Sequence, residues 1–149
     1  MALEIIQEID SYFTFRIEGE HFAINAGNVL RIVEMMPVTR VPNSPKYFKG
    51  IINLLGQVIP IFDGRLKFGF QENEYTKSTC MLILAFELDG QDTKAGIIID
   101  SVGKVIMLNA EIQMPASSVN IGINAKFIQG VTIYNDEPLK ILNIENVFS

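Results

Sequence analysis

Apolar and polar residues alternate in the stretch YFTFRIEGEHFAI, residues 12 to 24. Phe13, Phe15 and Ile17 fall on one side of this pattern, which is interrupted at Gly19 and then resumes. A period of two residues on either side of a glycine turn is typical of a β-hairpin. The sequence therefore predicts two antiparallel strands near the start of the chain.

The pattern then changes to the spacing of a helix. Four apolar residues follow one another at i, i+3, i+4 and i+7: Val29, Ile32, Val33 and Met36. Asn25 is a candidate cap before them, and Pro37 is a stop after them. We predict one helix of about three turns in this region.

The next stretch, YFKGIINLLGQVIPIFDGRLKF, spans residues 47 to 68 and has two short apolar runs joined at Leu55-Gly56-Gln57. This arrangement predicts a second hairpin. Asp63 is placed to cap a short helix, GRLKF, which Gly69 would end. Residues 70 to 78 are polar and predict an exposed loop. Two more strands follow, CMLILAFEL and AGIIIDSV, whereas residues 109 to 126 give no clear pattern.

The second hairpin recurs 80 residues later, in residues 127 to 148. An aromatic residue, a glycine, two apolar runs, a turn and a final aromatic residue follow in the same order without a gap. Gly50 corresponds to Gly130, and Asp63 to Asn143. Because an isolated hairpin is not stable in water, two such units indicate two small β-barrels or a twinned sheet.

Length, charge and cysteine content narrow the class of protein. A chain of 149 residues, 48% of them apolar, has the length of one domain or two very small ones, with enough apolar residues for a sizeable core. The net charge of −5 and the scattered basic residues argue against nucleic acid as a partner. One cysteine, no secretory pattern and no apolar run of about 18 residues favour the cytoplasm, without a disulfide framework or a membrane span.

Candidate catalytic groups are few. His21 is the only histidine, and next to a turn it is most simply an exposed strand residue. No cysteine and histidine spacing indicates a metal site, and no glycine pattern indicates a phosphate loop. Asp63 and Asp100 each follow an apolar strand, where a helix cap or turn former is the more frequent role. Arg65 is close enough in sequence to pair with Asp63.

The longest motif of the sequence reads PNSPKYFKGIINLLGQVIPIFDGRLKFG. Three further stretches are FRIEGEHFAINAGNVLRIVEM, AGIIIDSV and FIQGVTIYNDEPLKILNIENVF. Together they resemble the CheW family of bacterial chemotaxis coupling proteins over essentially the whole chain. The resemblance implies one CheW-like domain over residues 1 to 149, mainly β, made of two SH3-like five-stranded barrels with a few short helices. It also implies no cofactor.

The resemblance implies a scaffold without enzymatic activity. Such a protein couples transmembrane chemoreceptors to a CheA-type histidine kinase, and it meets the membrane only through the receptors. One surface would pair with the CheW-like regulatory domain of the kinase. A groove near the junction of the barrels would take the helical tip of a receptor.

Two residues depart from the family pattern at positions associated with partner binding. Leu55 stands where the family usually has Arg, and Arg31 stands where it commonly has Glu. These exchanges suggest a rewired interface with its own partner preference. The partner-binding positions that the resemblance implies are Val29, Arg31, Gly50, Asn53, Leu55 and Gly56. Of these, Gly50 and Gly56 are expected to set the backbone conformation more than to contact a partner. Asp63 and Arg65 match the family pattern as structural residues.

Two alternatives stay open from the sequence. One is an adaptor for a related chemosensory kinase pathway, such as one controlling surface motility. The other is a small-barrel enzyme that uses Asp63 or Asp100, which predicts a deep pocket with converging carboxylates. An adaptor instead predicts exposed apolar edge residues.

Overall fold

The computed structural model of the protein describes residues 9 to 109, residue 115 and residues 122 to 149. The strands in these ranges are β1 Ile9–Ile17, β2 Glu20–Asn25, β3 Val29–Glu34, β4 Phe48–Leu54, β5 Gln57–Asp63, β6 Cys80–Leu88, β7 Gln91–Ile99, β8 Ser101–Asn109, β9 Ile128–Tyr134 and β10 Glu137–Leu142. The α-helices are α1 Gly64–Lys67 and α2 Ile144–Phe148, and 3-10 helices span Ala26–Asn28 and Ala125–Phe127. The predicted mainly-β fold with few short helices is confirmed.

The strands form two five-stranded sheets, and each sheet combines strands that are distant in the sequence. Sheet A has the order β8-β1-β2-β10-β9, and sheet B has the order β3-β6-β7-β5-β4. The two orders are equivalent. Adding five to each strand number of sheet A, and continuing from β10 to β1, gives the order of sheet B. The chain crosses from sheet A to sheet B after β2 and returns after β7. Each sheet therefore contains strands from both halves of the sequence.

The two segments in which a repeat is predicted, 80 residues apart, contain the same order of elements. β4, a two-residue turn, β5 and α1 correspond to β9, a two-residue turn, β10 and α2. The helix caps correspond as well, because Asp63 accepts a hydrogen bond from the Leu66 amide and Asn143 accepts one from the Asn146 amide. The first hairpin and the Asp63 cap are confirmed too. The exposed loop predicted over residues 70 to 78 is confirmed except at Phe70, which is half-buried and packs against the apolar core.

One apolar core lies between the two sheets, and each sheet has a smaller core of its own. A series of rings runs through the shared core: Phe15 to Phe22 at 5.8 Å, Phe22 to Phe68 at 5.3 Å and Phe68 to Phe127 at 5.7 Å between centroids. The core of sheet B contains Ile61 and its neighbours. Since β1, β2, β6 and β7 all contribute to the shared core, it holds the sheets together.

The helix predicted over residues 29 to 36 is wrong, because this segment forms strand β3 and pairs with β6. A register shift between Val29 and Arg31 leaves Leu30 as an extra residue. As a result, Val29 packs against the shared core while Val33 packs against the core of sheet B. A bulge changes the face that later residues present, so a strand imitates the spacing of a helix. Asn25 does cap a helix, the 3-10 turn Ala26–Asn28.

The later strands were predicted only in part. β6 matches the prediction, while β7 begins at Gln91 because the turn is confined to Asp89 and Gly90. Strand β8 was not predicted beyond residue 102. Most of the unassigned stretch from 109 to 126 lies outside the described residues.

Candidate functional site

The hairpin between β4 and β5 presents an apolar tip. Leu55 is 79% exposed and has a positive φ of 53°, and Gly56 follows with a φ of 83°. The side chain of Asn53 accepts a hydrogen bond from the Gly56 amide at 3.1 Å, so it supports the turn. Val58 on β5 is also exposed, at 63%. A leucine in the left-handed region costs roughly 1–2 kcal/mol, and such strain is found preferentially at functional positions.

Arg31 and Val29 lie on β3 and differ in exposure. Arg31 is exposed and makes no ion pair with any described residue. Val29 is half-buried and packs against the shared core, so much of its side chain serves the fold. β3 and β4 are at opposite ends of the strand order of sheet B. Arg31 is part of strand β3, so the sequence-based expectation that it lies on a helix is wrong.

Gly50 has a clear conformational role. It is buried, its φ is 136°, and a Cβ atom at this position would overlap the carbonyl oxygen of Thr39. Thr39 and Ile51 exchange two backbone hydrogen bonds of 2.9 Å, which connect the segment after β3 to β4. Gly50 thus allows the close approach that links the two edges of sheet B.

Asp63 is buried and engaged on both carboxylate oxygens. Its Oδ1 accepts from the Leu66 amide at 3.2 Å, and its Oδ2 accepts from the Tyr75 hydroxyl at 3.0 Å. Burial, together with the nearby Asp63 carboxylate, raises the pKa of Tyr75. The hydroxyl therefore stays protonated and fastens the loop that contains Tyr75 to the start of α1.

Arg65 does not pair with Asp63, contrary to the possibility raised by the sequence. Its Nε donates to Asp100 Oδ1 at 3.0 Å and its NH2 group donates to Asp100 Oδ2 at 2.6 Å, while NH1 pairs with Glu18. The amide of Glu18 also donates to Asp100, at 2.7 Å. Arg65 therefore ties α1 to the β1–β2 turn and to the connection between β7 and β8.

His21 is largely buried, so its prediction as an exposed residue is wrong. Its side chain is 12% exposed, and Nδ1 lies 2.9 Å from Glu137 Oε1. Arg16 also contacts Glu137, at 2.6 Å. Desolvation by burial lowers the pKa of His21, with a further contribution from Arg16, while Glu137 opposes the shift. The hydrogen bond from Arg16 lowers the pKa of Glu137.

The enzyme alternative has little support in this geometry. Asp63 is held by a helix cap and a tyrosine, and Asp100 is held by an arginine, so the two carboxylates do not converge on an open pocket. Within the described ranges, no group of three or more His, Cys, Asp or Glu is arranged to hold a metal ion. In the same ranges, no helix is long and apolar enough to cross a membrane.

Both sheets have an edge strand with exposed apolar side chains, and sequence reasoning did not identify which residues these are. On β3 these are Leu30 and Ile32, and on β8 they are Val102, Val105 and Met107. β3 and β8 occupy equivalent places in the two strand orders. Exposed edges of this kind are typical of surfaces that bind a partner. The residues VIML in β8 form one apolar run, so sequence alone does not separate its buried members from its exposed ones.

Comparison with known proteins identifies the same family. The model of the CheW-like domain matches residues 11 to 149. The chemotaxis protein CheW of Klebsiella aerogenes is 31% identical over 138 residues, covering 93% of this chain and 81% of that protein. CheW of Treponema pallidum is 32% identical over 136 residues, covering 91% and 80%.

A solved structure has the same fold. The scaffolding protein TtCheW from Thermoanaerobacter tengcongensis superposes with a TM-score of 0.83 at 27% identity, covering 94% of this chain and 88% of that one. The likeness extends over both sheets and is consistent with the SH3-like architecture implied by the sequence motifs. With a family match that spans nearly all of its residues, the chain belongs to the CheW family of chemotaxis proteins.

Proposed function

We propose that this chain is a non-enzymatic scaffold that couples transmembrane chemoreceptors to a CheA-type histidine kinase in the cytoplasm. The observation that carries the proposal is the family match over residues 11 to 149. The exposed apolar edges of β3 and β8 support it, because a scaffold acts through binding surfaces and needs no reactive groups. The whole matched region forms one domain in this proposal.

The part of the kinase that binds this chain is the CheW-like regulatory domain. The part of the receptor that binds it is the helical tip. A regulatory domain of the same fold offers complementary sheet edges and hairpin tips, and an amphipathic helix fits an apolar groove. Neither contact requires a covalent step. Binding free energy alone would bring the receptor and the kinase together.

Partner preference is set by Arg31 and the hairpin tip at Leu55. Arg31 offers a positive charge that has no partner among the described residues, and Leu55 offers a large apolar side chain held in a costly backbone conformation. A partner evolved for a glutamate and an arginine at these positions would meet a reversed charge and a lost cation. Like charges and unpaired charges at an interface select against the wrong partner.

Calorimetric titration against the regulatory domain of a CheA-type kinase from the same genome tests the proposal. We expect saturable binding that Leu55→Arg changes. Asn135→Arg is the matched control, because Asn135 is the equivalent exposed turn residue of the twin hairpin and has a φ of 50° against 53° for Leu55. Absence of binding up to about 100 μM would contradict the kinase contact. An equal effect of both substitutions would contradict the role of Leu55.

The role of the exchanged pair needs a second titration. The double variant Arg31→Glu with Leu55→Arg restores the usual family residues, so it should gain affinity for kinase domains of other members of the family. Unchanged partner preference would refute this part of the proposal while leaving the scaffold role intact.

A further inference from the structure

A groove of about 650 Å³ opens on sheet B beside α1, away from the hairpin tip. Its apolar lining includes Met35, Met36, Val38, Phe48, Leu66 and Ile98. A volume of this size accommodates several side chains of a ligand, which is more than a single ion would fill. Methionine side chains adapt their shape to different apolar groups.

The charged residues of the groove are mostly basic, although the chain as a whole carries a net charge of −5. Arg40, Lys46 and Lys49 line it, against the single carboxylate of Glu72. Arg40 and Lys46 are exposed and make no ion pair with any described residue. The groove is thus a local positive site on an acidic protein, and it complements an anionic ligand.

Within the groove, the carboxylate of Glu72 forms only a weak ion pair with Lys49. Glu72 lies 3.6 Å from Lys49, and its side chain is 67% exposed. The loop that carries Glu72 is fastened by the hydrogen bond from Tyr75 to Asp63. A carboxylate supplied by a ligand could therefore replace Glu72 at Lys49 without displacing the wall of the groove.

We propose that this groove binds a short acidic segment of a partner protein, with apolar side chains entering between Met35 and Leu66 and carboxylates facing Arg40, Lys46 and Lys49. The combination of an apolar lining and unpaired cations carries the proposal, since an inorganic anion would leave the apolar lining unused. The inference does not rest on the scaffold role. It adds a binding surface whose residues differ from those at β3 and at the hairpin tip.

The methionine methyl groups provide a direct test by NMR. The probe is a ten-residue peptide of glutamate, leucine and serine, titrated into protein labelled at its methionine methyl groups. We expect the signals of Met35 and Met36 to shift and saturate, while the signal of Met107, which is exposed on β8, stays in place. No shift at peptide concentrations up to about 1 mM would overturn the proposal.

Charge variants separate a specific groove from a general effect of net charge. Arg40→Glu combined with Lys46→Glu should weaken peptide binding by about tenfold or more. The control combines Lys77→Glu with Lys104→Glu, which changes the net charge equally at two exposed lysines outside the groove. Glu72→Gln should tighten binding by roughly two- to fivefold, the range of a loose exposed ion pair.

Further outcomes would overturn the proposal. The glutamine counterpart of the peptide should bind much more weakly, and equal binding would show that charge plays no part. An equal loss in the control variant would show that only net charge matters. Sedimentation with vesicles that contain phosphatidylserine tests the other source of anionic groups. Binding to these vesicles that depends on Arg40 and Lys46, without binding to the peptide, would assign the groove to a lipid surface.

Discussion

Replacing Arg65 by alanine should destabilise the fold at the point where its two sheets are tied together. The guanidinium group makes two hydrogen bonds to Asp100 and pairs with Glu18. These partners belong to the β7–β8 connection and to the β1–β2 turn, while Arg65 itself lies on α1 beside sheet B. The substitution therefore removes one link between three separate parts of the chain.

The structure sets the size of the effect. Hydrogen bonds between charged groups contribute about 1.5–3 kcal/mol each when shielded from water. The side chains of Arg65, Asp100 and Glu18 are 17%, 27% and 44% exposed, so water recovers part of this loss, and the Glu18 contact contributes least. We expect a loss of about 2 kcal/mol in the free energy of unfolding. For a chain of this size that lowers the melting temperature by about 6 °C.

Urea unfolding followed by circular dichroism measures this loss. Lys94→Ala is the control, since Lys94 is exposed and makes one side-chain hydrogen bond, to Gln57, so its loss should cost at most about 0.5 kcal/mol. A double-mutant cycle with Asp100→Ala should give a coupling energy of about 1 kcal/mol or more. A cost for Arg65→Ala no larger than that of the control, with additive effects in the cycle, would refute the reasoning.

The remaining predictions concern a backbone contact, a buried histidine and the number of folding units. Gly50→Ala should lower the free energy of unfolding by more than about 2 kcal/mol, because the new Cβ would overlap the Thr39 carbonyl. Gly56→Ala, whose Cβ would meet open space, should lower it by about 1 kcal/mol, and equal losses would contradict the close approach at Gly50. The unfolding free energy should fall as the pH drops below 6.5, because burial lowers the pKa of His21 in the folded state and the unfolded chain takes up the proton first. In His21→Asn the stability difference between pH 7.5 and pH 5.5 should shrink, and an unchanged difference would assign the effect to other groups. Circular dichroism and tyrosine fluorescence should give one unfolding midpoint, since the sheets share a core, and two separate midpoints would show two domains.

Much of the architecture was predictable because it depends on local patterns. The hairpin at 47 to 68 and its copy at 127 to 148 follow from turn residues and apolar runs within about 20 residues. The cap at Asp63 follows from a single side chain at a strand end. These features need no knowledge of distant parts of the chain, so sequence reasoning recovers them.

The errors arise where distant residues decide the outcome. β3 has the spacing of a helix because a bulge at Leu30 moves its apolar residues from one core to another, and only pairing with β6 reveals this. The partner of Arg65 is 35 residues away at Asp100, and neither residue indicates the other in the sequence. His21 is only 12% exposed, and it lies 2.9 Å from Glu137 of β10, a distant strand that pairs in parallel with β2. Long-range pairing and burial of this kind leave no local signature.

The repeat within the fold separates residues needed for structure from residues free to serve binding. Where both halves need the same local structure, they keep residues that serve it, as at the helix caps Asp63 and Asn143, each of which accepts a backbone hydrogen bond through its side chain. At the hairpin tips the backbone is again the same, with positive φ at Leu55 and at Asn135. Asparagine is the ordinary choice for that conformation, whereas leucine is costly and gains little from packing when it is 79% exposed. The fold alone therefore gives no reason for leucine at position 55, whereas the proposed contact with a partner would give one.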